Sequence, residues 1–171
     1  MNSRNLALIF GIVYLGLAIL GMMPGIVTPI APGAPEMRFD VMHGAVLGLF
    51  PVNLLLTLIH LAMGAWGLAA FMGWQRPRVY ARSAAFIFAV LGLMGMVQGL
   101  DTVFGLMPLY GNDVWLHLLS AGIAGFVAWR PETGERRSIS GDRRRTTHAP
   151  MSTERRHSTF DRRRSAYLPQ A

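Results

Sequence analysis

The chain contains no cysteine and no lysine. The first absence excludes disulfides, thiolate metal sites and cysteine nucleophiles. The second excludes Schiff-base chemistry at a lysine amine, because every fixed side-chain cation is an arginine. Charge is also scarce: 15% of the 171 residues are charged, against about 25% in an ordinary soluble domain. The catalytic signatures GxSxG, HExxH and the Walker phosphate loop are missing, and no helix pattern carries two buried carboxylates. Ser120 lies three residues from His117 but has no third group to orient the pair, so nucleophilic hydrolysis is not expected. The sequence predicts a protein that is not an enzyme and has no cofactor.

What remains is strongly segregated. Residues 1–130 hold six arginines against four acids, whereas residues 131–171 hold ten arginines against five. The first part contains four apolar runs, at about 6–27, 52–73, 79–100 and 114–130. Each approaches the roughly 20 helical residues that cross a bilayer core. The sequence therefore predicts an all-α, polytopic membrane protein, with four transmembrane helices in an antiparallel bundle and a disordered basic C-terminal tail. The fourth run is the shortest and needs Arg130 to snorkel or the bilayer to thin.

Arg4, the trio Arg76, Arg78 and Arg82, and the tail fall on one side of this topology. The positive-inside bias then puts both termini in the cytoplasm and the protein in a cell inner membrane. A competing reading makes residues 6–27 a cleaved leader, with Arg4 as its basic start and "IAPGA" as small residues after it. A mature N-terminus near Ala34 would then remove the first helix.

Small residues recur at helical spacing: Gly11, Ala18 and Gly21; Gly64 and Gly67; Ala85, Ala89 and Gly92; Ala121, Gly125 and Ala128. Such stripes let backbones approach where lipid offers no hydrophobic drive. Gly21/Gly25 and Gly95/Gly99 also read as GxxxG pairs, which could serve packing within the chain or a homo-oligomer. The segment 39–50, "FDVMHGAVLGLF", reads as a short interfacial or partly re-entrant helix.

Polar side chains gather toward the outer half of this topology: His43, Asn53, His60, Asp101, Asn112, Asp113 and His117. Imidazole and carboxylate together could bind a small ligand, ligate a metal or relay protons, and ionisable groups within a membrane are costly enough to suggest function. Which metal, if any, the spacing does not say. A plainer reading has a neutral His60 hydrogen-bonding Asn53, Thr57 or a backbone carbonyl to lock packing, and Asp101 and Asp113 standing in water at helix ends.

"LGLFPVN" leading into "LIHLAMGAWGL", with "GMMPG" and "GNDVWLHLLSAGIAG", resembles bacterial four-helix membrane proteins grouped as a domain of unknown function. The resemblance spans about residues 6–130 and implies four helices in a bacterial inner membrane, and no reaction. Its pattern carries a further His and Asn where this chain has Leu56 and Thr57, so a two-histidine site within that helix does not follow.

The tail repeats E-R-R-x4-D-R-R-R from Glu135 and from Glu154. With few apolar residues it cannot bury a core. Its arginines (Arg136, Arg137, Arg143, Arg144, Arg145, Arg155, Arg156, Arg162, Arg163, Arg164) are placed to meet anionic phospholipids of the bilayer, at about 1 kcal/mol each near the surface. Nucleic acid is a poorer match, because only Phe160 and Tyr167 could stack on bases. Together these features suggest a non-enzymatic membrane scaffold or stress-related component; the alternative is a protein that handles a small ligand, metal or proton at His60 and His117. The isolated tail is expected to float with liposomes containing anionic lipid and to be released by raised salt. Equal binding to neutral vesicles rules out electrostatic tethering.

Overall fold

The computed structural model describes residues 1–131, which form one compact unit. The tail arginines and the expected tail disorder lie outside the described residues. Four helices carry the fold: α1 (Ser3–Met22), α2 (Leu54–Phe71), α3 (Pro77–Gly95) and α4 (Asn112–Trp129). Three of them, α1, α2 and α3, are long and apolar enough to cross a membrane, as a multi-pass membrane protein requires.

Local chemistry sets the helix ends. Asn2 caps α1 by accepting from the Asn5 N–H at 2.8 Å, and Asn53 caps α2 by accepting from the Leu56 N–H at 3.0 Å. Pro77 sits in the first turn of α3, where its missing N–H costs nothing. α1 stops at Met22 rather than near residue 27, because Met23 precedes Pro24 and takes an extended conformation.

Within each helix pair the backbones nearly touch. A Cβ on Gly67 would lie 2.8 Å from the Ala7 carbonyl oxygen and 2.9 Å from Gly11 Cα, and one on Gly64 would lie 2.6 Å from the Leu15 nitrogen. Gly21 meets Thr57 at the other end of the same pair, so α1 and α2 run antiparallel. α3 and α4 repeat the arrangement, with Gly92 against Leu118 and Gly95 against Leu109 and Val114. The two pairs then face each other through larger side chains: Phe10, Tyr14, Tyr80 and Phe88 join one buried cluster with Ala84, Ala124 and Val127.

The GxxxG expectation is corrected. Gly25 and Gly99 lie beyond the ends of α1 and α3, in turns with φ of +88°, so neither pair makes a helix face. The first member of each pair, Gly21 or Gly95, packs within the chain.

The helix expected within 39–50 is also absent. A small antiparallel sheet forms instead, from β1 (Val27–Thr28), β2 (Gly44–Val46) and β3 (Phe50–Val52), in that order. Val27 pairs with Val46, and Val46 with Phe50. Gly44 is needed there because a Cβ would collide with Val27 and with the Thr28 carbonyl. Together with the turns over 96–109, this sheet caps one end of the bundle.

At the opposite end, arginines reach the last carbonyls of two helices. Arg4 donates to Phe71 at 3.0 Å, and Arg78 donates to Ala128 and Arg130. A cation is favourable at a helix C-terminus.

Gly67→Val is expected to lower stability by about 1–3 kcal/mol through overpacking of α1 on α2. Gly122→Ala, where a Cβ meets nothing within 4 Å, should leave stability unchanged or slightly raised. Chemical unfolding of the two variants in detergent micelles compares them.

Candidate functional site

Three of the residues singled out from the sequence converge where the helix pairs meet. His60 comes from α2, and Asp113 and His117 come from α4. They are 2%, 0% and 0% exposed, and each offers one donor atom within 4.8 Å of the others. Asp113 and His117 are four residues apart and so share one helix face. Asp113 Oδ2 and His117 Nδ1 approach to 3.2 Å, an ion-pair contact without hydrogen-bond geometry.

Neither nitrogen of His60 has a hydrogen-bond partner. Its expected bonds to Asn53, Thr57 or a backbone carbonyl are therefore not made, and packing does not depend on them. Among the described residues, the buried side-chain nitrogen and oxygen atoms without a hydrogen-bond partner are six, and all belong to this trio.

Aromatic rings hold the imidazoles in place. Phe88 stacks on His117 with centroids 5.6 Å apart, and Tyr14 tilts against His60 at 5.3 Å. Tyr14 and Phe88 stack on each other at 4.5 Å. The Tyr14 hydroxyl donates to Ser120 Oγ at 2.7 Å, linking α1 to α4 one turn beyond His117. Ser120 is thus bound to a tyrosine and not to a histidine.

The other candidate residues lie elsewhere, in the cap. Asn53 is fully buried, and its amide donates to the Phe39 carbonyl at 3.0 Å and to the Leu106 carbonyl at 2.6 Å. It therefore ties both cap loops to the start of α2. Asp101 turns back to accept from the Gly99 N–H at 3.0 Å, and Asn112 donates to the Leu49 carbonyl at 3.2 Å on the surface. His43 lies 3.3 Å from the Tyr110 hydroxyl. Burial pulls the His43 imidazole below its ordinary pKa, with the Asp40 carboxylate working against the shift. Burial pushes the Tyr110 phenol up, and the Asp101 carboxylate adds to the shift.

Asp113 is the residue whose role the sequence conceals. An acid in the first turn of a helix is ordinarily solvated and complements the helix dipole, whereas this one is fully enclosed. Its four-residue spacing from His117 was the available signal. Tyr14 falls at helical spacing with Gly11, Ala18 and Gly21, a pattern that marks its packing face and not its bond to Ser120.

The sequence pattern of a family described as a domain of unknown function, DUF4383, matches residues 4–130. No curated protein and no solved structure matches the chain.

Asn53→Asp keeps the acceptor that caps α2 but sets an oxygen against two carbonyls. Each buried acceptor left unpaired costs about 1–3 kcal/mol. The expected outcome is faster limited proteolysis within 29–43 and 96–108, with helical circular dichroism preserved.

Proposed function

The chain belongs to the DUF4383 family, a domain of unknown function, and we propose that it is a multi-pass inner-membrane protein holding a small ligand between its two helix pairs. The observation that supports this is the set of six atoms without a hydrogen-bond partner on His60, Asp113 and His117. A buried polar group without a partner costs about 1–3 kcal/mol, and low dielectric makes a half-satisfied cluster the more unfavourable. Two imidazoles and a carboxylate offer lone pairs and negative charge, so the fitting ligand is cationic or donates hydrogen bonds.

In this reading α4 is the fourth span, with Arg130 folding back over the Phe126 ring at 4.9 Å. The arginine bias supports cytoplasmic termini, so the cap and the polar half of the bundle face outward. The protein binds without catalysing. Its tail arginines rest on anionic headgroups.

Native mass spectrometry of the full chain released from membranes tests the reading. The expected result is a mass above that of the denatured chain by one small ligand, lost in the triple variant His60→Leu, Asp113→Leu, His117→Leu. Replacement of a buried polar cluster by apolar groups of similar volume is tolerated by stability, so that variant should still fold. Identical native and denatured masses overturn the reading.

A further inference from the structure

We propose that the ligand, resting on the binding reading above, is one divalent transition-metal ion of the zinc type, coordinated by His60, Asp113 and His117. Three geometric and chemical facts carry this. First, Asp113 Oδ2 and His117 Nδ1 lie 3.2 Å apart without the alignment of a hydrogen bond. That separation is close to the edge of about 3.3 Å that two donors span around one tetrahedral ion at 2.0–2.1 Å. The pair makes no hydrogen bond and is spaced for a shared cation.

Second, His60 completes the set from the facing helix. All three residues offer a donor within 4.8 Å of the others, so a ring movement of up to about 1.5 Å brings His60 to the edge length of the same polyhedron. Both of its nitrogens lack partners, so no hydrogen bond has to be broken for either to turn inward.

Third, the donor set selects the ion. Calcium takes six to eight oxygen donors, and magnesium keeps several waters. Two imidazoles with one carboxylate suit zinc and its first-row neighbours. Three protein donors leave one position of a tetrahedral ion for an exogenous group.

Placement gives the ion a second consequence. His60 belongs to the α1/α2 pair, and Asp113 and His117 belong to the α3/α4 pair. Within each pair glycine contacts bring backbones together, whereas between pairs Phe10 and Tyr14 meet Phe88, and His60 meets His117, ring to ring. One ion bound by all three residues is therefore a staple across the seam.

The test uses the full chain without a histidine tag, purified in detergent, stripped with chelator and reloaded with Zn2+ or Co2+ alone. Expected are one ion per chain, a rise in the unfolding midpoint on loading, and visible d–d absorption of the Co2+ form at tetrahedral intensity. His60→Gln and His117→Gln should each weaken binding at least about tenfold, and Asp113→Asn should shift the Co2+ spectrum while keeping the shape of the side chain. Circular dichroism confirms that each variant is folded, and the wild-type spectrum stands without them. No stoichiometric ion and no d–d bands overturn the proposal. So does a spectrum unchanged in the variants, which assigns the ion to His43, His148 or His157. A native mass excess that no metal explains defeats the metal assignment and leaves the binding reading standing, whereas no excess at all defeats both.

Discussion

The closeness of backbones within each helix pair governs the rest of the molecule. In a bilayer, helices gain nothing from hiding apolar surface from lipid, and association rests on van der Waals contact and hydrogen bonds. Gly11, Gly64 and Gly67 supply that contact for α1 and α2, and Gly92 and Gly95 supply it for α3 and α4. Where glycine lets two helices meet at the backbone, no side chain lies between them. The bulky residues consequently collect along the seam between pairs, where Tyr14, Phe88, His60 and His117 pack ring against ring. The polar trio sits there because the pair interiors have no room for it.

Those features were unequally legible in the sequence. Long apolar runs gave away the helices, and small-residue stripes gave away the faces that touch, since Gly11, Gly64, Gly67 and Gly92 are all at close contacts. Helix ends were harder, because the apolar character continues past them. Val97 and Leu100 prolong the run of α3, yet the chain has already turned at Met96 and pairs Leu100 N–H with the Val97 carbonyl. The sheet was invisible for a related reason. "GAV" and "FPV" are too short to alternate, and Pro51 inside β3 argues against a strand unless it lies at an edge.

The site was half legible. His60 and His117 stood out as polar residues in apolar runs, and the structure brings their rings to 6.0 Å. Asp101 and Asp113 looked equivalent, each an acid near a helix end. What separates them is tertiary: Asp101 satisfies the N–H of Gly99 in its own turn, whereas Asp113 is enclosed on the face that α4 presents to the seam. No local pattern encodes which face is covered by a distant helix. Asn53 belongs to the expected polar site by its place in the sequence, but its amide donates to the Phe39 and Leu106 carbonyls in the cap. That role depends on two loops whose path the sequence did not reveal.

The Tyr14–Ser120 bond joins the first helix to the last, and Asp113 and His117 reside on that last helix as well. During synthesis from the N-terminus, the first three helices emerge with Tyr14 and His60 still lacking their opposite numbers. The seam closes only when α4 arrives. A chain truncated before residue 112 would leave the Tyr14 hydroxyl without Ser120 and the His60 ring without His117, although Tyr14 would keep its contacts with His60 and Phe88. The final helix thus supplies the last partners of the seam as well as part of the wall.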